Sequence, residues 1–323
     1  MEKRINWVIY RAPYAAAILF AITSLVCLIA YMLAGTFSTD KLPRIFDSRR
    51  ELIGMVAMLI ILPSYLVASF VISQRRTVTL FTEIKDSSLQ RYTAAAQHLP
   101  KRYLVSGLLS GLSFSIFNMP AGFTEIINGG PIIILIALSQ ILLWLLVGAL
   151  LSARFYSARL FYRAGKQISL DIFETTNLKV FPLSGLSDTL LILLGLTLTI
   201  LQAIDAQFRF ENYIGGIVVC LPAILVLMIT PMYSLHRRIV ETKKRELLKL
   251  NRLIVEASKD LVPESIQTLE LLLQRRRRLK DVSNWPIDLS VVSRLLLYIV
   301  IPPIAWLGAA FVEIGLDGFL GGS

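Results

Sequence analysis

Apolar residues in this chain gather into long runs instead of alternating with polar ones. Seven stretches, at 12–35, 52–73, 103–119, 131–151, 186–204, 214–235 and 295–316, carry almost no charge. A helix needs roughly 20 apolar residues to cross about 30 Å of hydrocarbon. The pattern therefore predicts an all-α integral membrane helical bundle of about seven transmembrane helices. Lys3 and Arg4 precede the first run, as in a signal peptide, but the run is too long for a 7–15-residue apolar core. It reads as a retained first span.

A different period appears after the sixth run. Val240, Leu247, Ile254 and Leu261 recur every seven residues, with Leu250 and Ala257 between them. This stripe predicts that the sixth helix continues out of the apolar layer. Pro263 interrupts it, and Ile266, Leu269, Leu272 and Leu273 then mark a second amphipathic helix ending in Arg275, Arg276, Arg277 and Arg278. The expected organisation is spans one to six over 1–236, a basic cytoplasmic helical hairpin over 237–284, and a seventh span with an outer tail over 285–323. Weaker amphipathic stretches at 77–100 and 154–175 would complete a thin cytoplasmic layer.

Charge sets the orientation. With the N-terminus inside, 27 of the 33 Lys and Arg residues fall in inner segments and five in outer ones. Cytoplasmic loops collect basic residues, so the division predicts a cytoplasmic N-terminus and an outer C-terminus. It also explains the net charge of +11 without nucleic acid. Of the 323 residues, 55% are hydrophobic and only 17% charged, with mean hydropathy +0.66. Soluble domains average about 25% charged residues. The lipid bilayer is thus the expected partner, and the bacterial inner membrane the expected location. Cys27 and Cys220, the two cysteines, each lie within an apolar run and suggest neither a disulfide nor a metal site.

Candidate chemistry is sparse. Gly107 and Gly111 are four apart, a spacing that lets two helix backbones approach closely within a subunit or between subunits. Ser110, Ser113 and Asn118 follow on the same run. They are candidates for lining a pathway, unless their polar groups bond back to their own helix. Asp188 reads as a helix cap. No acid or base is expected near a bilayer midplane, which argues against proton-coupled exchange. Pro302 and Pro303 interrupt the seventh run, with Trp306 beyond, and a kinked helix there is a candidate to line a pathway. Arg294, Trp306 and Glu313 are further lining candidates: Arg294 either snorkels to the inner interface or attracts anions to a vestibule, and Glu313 is either solvated or favours cations at an outer mouth. Arg275–Arg278 are candidates to bind anionic lipid or a partner. His98 and His236 offer no metal-ligand spacing, and neither a cofactor nor a catalytic motif is expected.

From Pro231 onward the chain resembles a bacterial polytopic membrane protein family of uncharacterised activity. The similarity rests on Pro231, Leu235-His236-Arg237-Arg238, Lys244, Trp285-Pro286-Ile287-Asp288, Pro302-Pro303, Trp306-Leu307-Gly308-Ala309 and Glu313, and covers about the last third. It implies a bacterial origin and no named activity. The overall plan, with a helical cytoplasmic layer before the last span, is also similar in architecture to insect chemoreceptor channels, whose residue motifs this chain lacks. The leading expectation is a self-associating, homo-oligomeric ion channel or passive transport protein. A signalling or scaffold protein using the basic hairpin is the alternative, and a membrane-embedded enzyme the second.

Overall fold

The computed structural model describes residues 4–6, 14–37, 43, 46, 48–84, 89–119, 122–170, 176–199, 201, 211–258, 263–285, 293 and 297. It is an all-α bundle with one minimal strand pair. The helices are α1 (Ala15–Leu33), α2 (Arg49–Glu83), α3 (Gln90–Ala96), α4 (Lys101–Phe117), α5 (Phe123–Asn128), α6 (Gly130–Gly165), α7 (Val180–Leu198), α8 (Glu211–Ala257) and α9 (Pro263–Asp281).

Five of these, α1, α2, α6, α7 and the stretch of α8 from Ile214, are long and apolar enough to cross a membrane. They correspond to five of the seven expected spans. At 17 residues, α4 measures about 26 Å at 1.5 Å per residue, just short of a typical hydrocarbon core. The seventh expected span, with Arg294, Pro302, Pro303, Trp306 and Glu313, lies outside the described residues. Apolar surface is abundant on the flanks. Ile18, Ile22, Leu25, Val26 and Ile29 are exposed along α1, as are Val218, Leu221 and Leu225 along α8. Soluble monomers rarely expose such continuous patches.

Two helices run on past the ends of their apolar stretches. In α2, Ser48 accepts a hydrogen bond from the Glu51 amide at 3.0 Å, capping a helix of 35 residues. In α6, Gly130 supplies a left-handed φ of 81° and Pro131 opens a 36-residue helix that passes straight through Arg154. The expected break between a span and an amphipathic segment at 154 does not occur. The extensions pack with α3, α7 and α8 around Phe81, Tyr92, Phe161, Phe181 and Leu235. Phe81 and Phe161 stack at 4.2 Å, and Phe161 meets Phe181 edge-on at 5.9 Å. Arg238 of α8 donates to the Gly165 and Ile168 carbonyls at 3.0 and 2.6 Å, satisfying the open C-terminus of α6.

This end of the bundle also holds the strand pair, which the helical pattern gives no reason to expect. β1 (Arg4–Asn6) runs antiparallel to β2 (His98–Pro100), with Ile5 opposite Leu99. The N-terminal strand is thereby fixed beside the start of α4.

Beyond the bundle, α8 continues without interruption to Ala257, and α9 folds back on it. Leu250 and Leu279 are the buried contacts, flanked by Leu170, Leu247, Leu272 and Val282. The seven-residue stripe is corrected in one respect: Ile239 is buried, whereas Val240 is exposed. Ile239 to Leu250 is a spacing of eleven, three turns of a straight helix, while a seven-residue repeat suits a supercoil. Lys243 donates to the Lys280 and Val282 carbonyls at 2.8 and 2.6 Å and ties the end of α9 to α8. Leu250→Ala should loosen this small unit by about 2–5 kcal/mol. Amide exchange throughout α9 should then run at least about 30-fold faster, with α2 and α6 unchanged. Equal protection of α9 in both proteins would show that Leu250 does not hold the hairpin.

Candidate functional site

The least expected side chain in the bundle is Arg154. Its helix neighbours Ser152, Ala153, Ser157 and Ala158 are all small, so α6 comes close to its partners there and encloses the guanidinium at 1% exposure. Opposite stand α2 and α7. Arg154 Nη1 donates to Thr77 Oγ1 at 3.2 Å and faces Asp188 Oδ1 at 3.5 Å. Nη2 donates to Gln74 Oε1 at 3.3 Å. Gln74 and Thr77 are three apart on α2, which places them on one face, toward α6.

Second contacts fix the orientation of each partner. Gln74 Nε2 donates to the Ala96 carbonyl at the end of α3, so its Oε1 is the atom turned to the arginine. Thr77 sends its single hydroxyl hydrogen to the Ser73 carbonyl at 2.9 Å. Ser157 Oγ, 3.0 Å from Thr77 Oγ1, must then be the donor between them. The result is one hydrogen-bonded cluster joining α3, α2, α6 and α7. Arg154 Nε and Thr189 Oγ1 are buried without a partner among the described residues.

Electrostatics explain why the cluster is compact. An isolated charge in a low-dielectric interior is very costly, and pairing with good hydrogen bonds offsets most of that cost. Arg154 has Asp188 as its counter-charge and two neutral acceptors, Thr77 and Gln74, for two further N–H groups. Asp188 cannot be the cap expected of it, because α7 begins at Val180, two full turns earlier. By sequence Arg154 opens an amphipathic inner segment, and Asp188 caps the start of a helix. Neither does. The available sequence signal was the setting of Arg154 among four small residues, a pattern of close packing rather than of a solvated face.

The predicted lining residues gather elsewhere. Ser110 and Ser113 donate to the Gly107 and Leu109 carbonyls of their own helix at 2.9 and 3.0 Å, and Asn118 to Phe114 at 2.9 Å. Ser110 does border an open groove of about 510 Å³ between α4, α6 and α8. Gly107 and Gly111 are used inside the chain, against α6. A Cβ at Gly111 would strike the Trp144 carbonyl and lie 2.9 Å from Leu145 Cα. On α9, Arg275, Arg277 and Arg278 are exposed, beside the exposed Leu271 and Leu273. Among the described residues no group of three or more His, Cys, Asp or Glu could hold a metal ion. No protein family matches the chain, and neither a curated protein nor a solved structure matches it significantly.

Proposed function

We propose that the chain is a multi-pass protein of the bacterial inner membrane that acts as a homo-oligomeric ion channel or passive transport protein. The observation that carries this reading is the Arg154–Asp188 cluster, buried among helices apolar enough to span a bilayer. A buried ion pair is costly, and this one stands where α2 and α6 leave their apolar runs, at 73 and 151. Arg154 Nε has no partner among the described residues, so the guanidinium keeps one donor in reserve when its other hydrogen bonds are exchanged. In this reading it is the latch that holds α2, α6 and α7 together when the pathway is shut.

The proposed topology has about seven spans, the N-terminus and the α8–α9 hairpin in the cytoplasm, and the C-terminus outside. Its supports are the 27-to-5 division of basic residues and the strand pair, which brings the N-terminus to the same end of the bundle as the α3–α4 connection and the hairpin. A second reading, a signalling or scaffold protein, is favoured by the exposed arginines and leucines of α9, which suit anionic lipid headgroups or a partner.

The test is ion flux from vesicles containing the purified full chain, compared with the double variant Arg154→Met/Asp188→Leu. Replacing a buried ion pair by apolar residues of similar volume is often neutral for stability. The variant should therefore fold and insert. Wild-type vesicles should release potassium or chloride, and the double variant should change that rate at least tenfold. Vesicles as tight as protein-free ones, or identical flux from the two proteins, would remove the transport reading and leave the scaffold in its place.

A further inference from the structure

On the other side of α4 from the groove that Ser110 borders lies a half-open crevice of about 270 Å³. Two helix pairings leave it between them. The start of α1 is pinned to α2 by Ala15 against Val71, and α4 is pinned to α6 where Gly107 and Gly111 meet Gly148. The walls are Leu19 from α1, Val67 and Phe70 from α2, Leu104 and Leu108 from α4, and Leu146 from α6. Among the described lining residues Gln74 alone is polar, and its amide group is taken up by Arg154 and the Ala96 carbonyl. The surface turned to the crevice is therefore almost wholly apolar. Ile18 and Ile22 on α1, and Val105 and Leu109 on α4, flank the lining positions and are exposed.

Positive charge gathers at one end of this crevice. Lys101, Leu104 and Leu108 fall at i, i+3 and i+7, so they share one face of α4, with Lys101 about 4.5 Å nearer the helix start. Lys101 is exposed, as is Arg102 beside it. Helix α4 opens without a side-chain cap and without an acid in its first turn. Its first amides and the positive end of its dipole therefore add to the field of the lysine.

We propose that the crevice seats one acyl chain of an anionic phospholipid, with the phosphate at Lys101 and the start of α4. The lining selects the chain. A charged or hydrogen-bonding group would lose its water there and gain no partner. The volume exceeds the roughly 150 Å³ of a cavity that accepts benzene and falls below the roughly 300–1,000 Å³ of drug-sized sites, which suits a length of hydrocarbon. The exposed apolar flanks of α1 and α4 let such a chain enter sideways from a bilayer without crossing water. Charge selects the headgroup. Lipid tails are as apolar as leucine, so the lining alone gives no preference among lipids. Each basic residue near the surface favours an anionic lipid about fivefold.

The site rests on the reading of the chain as a membrane protein and not on conduction. It is distinct from the arginines of α9, which belong to the hairpin. Gln74 both lines the crevice and holds Arg154, so a seated chain would bear on a residue that orients the guanidinium.

Photocrosslinking in vesicles tests the proposal. The full chain is reconstituted in phosphatidylcholine with a trace of a probe lipid carrying a diazirine midway along one acyl chain. The probe is either phosphatidylglycerol or phosphatidylcholine, and labelled residues are mapped by peptide mass. The phosphatidylglycerol probe should label Leu104, Leu108 and Leu146 about fivefold more than the phosphatidylcholine probe, and unlabelled phosphatidylglycerol should compete. Lys101→Gln, a change at an exposed position, should bring the two probes level. Ala149→Phe, which fills the crevice, should abolish labelling there while the outer face of α1 stays labelled. The comparison of probes on Lys101→Gln decides the matter even where Ala149→Phe does not fold. Equal labelling of the wild type by the two probes would mean annular lipid only and would overturn the site. So would an anionic preference confined to the arginines of α9, or competition by soluble glycerol phosphate as effective as that by the lipid. A chain that fails to insert would overturn the membrane reading itself, and the site with it.

Discussion

Asp188→Leu is expected to destabilise the protein by about 3–5 kcal/mol, because it leaves the Arg154 guanidinium buried without a counter-charge. Arg154→Met should cost a similar amount, since it strands the carboxylate instead. The double variant should lie within about 1–2 kcal/mol of the wild type. Removing both charges together also removes the need to solvate either. Thermal or denaturant unfolding in one detergent, run on all four proteins, gives the coupling between the two sites directly. Single-variant effects that merely add would mean that the two groups are not electrostatically joined. The cycle also separates stability from function: a double variant that is fully stable but altered in flux assigns the pair to the pathway and not to the scaffold.

The second large effect concerns the contact between α4 and α6. Gly148 faces Gly107 and Gly111, and a Cβ there would strike the Gly107 carbonyl oxygen and approach Gly111 N and Cα to 2.9 and 3.0 Å. These are backbone atoms, which cannot rotate aside as a side chain can. Gly148→Ala should therefore cost about 1–3 kcal/mol by overpacking, and Gly148→Leu should detach α4 altogether. Gly216→Ala is the internal control. Its new methyl meets only Leu196 Cδ1, at 3.3 Å, the flexible tip of a side chain. Relief of the helical glycine penalty then offsets the crowding, and the melting temperature should hold or rise. If Gly148→Ala melted with the wild type, α4 would have to be free to move outward.

Much of the bundle was legible in the chain because apolar runs need no partner to be recognised. Six of the seven expected spans lie on helices of the structure, five of them long and apolar enough to cross a membrane, and the small-residue pair at Gly107 and Gly111 meets α6 in the same chain. The stripe through Leu247, Leu250 and Ile254 foretold a helix continuing beyond the apolar layer. What stayed hidden depends on which helices become neighbours. Arg154 and Asp188 are 34 residues apart on different helices, and each alone has an ordinary surface or capping explanation. The fourth run closes at 151, three residues before Arg154, and the fifth opens at 186, so Asp188 reads as the start of a helix that in fact begins six residues before that run. The three-residue strands pair segments more than 90 positions apart, with no alternation long enough to announce them. The groove beside α4 was invisible for a further reason. A space is defined by what α4, α6 and α8 together fail to fill, and no single run carries that information.

Helix α8 gives the molecule a mechanical property. It is held at more than one level: a Cβ on Gly185 would sit 3.1 Å from the Met228 backbone, and one on Gly165 would strike the Ser234 hydroxyl. Pro222 and Pro231 stand on either side of Met228, each removing one rung from the helical ladder, so bending should concentrate at those two positions. A load on the hairpin would therefore bend α8 near Pro231 and be taken up by the contacts at Ser234 and Met228 before it reached the far end of the helix.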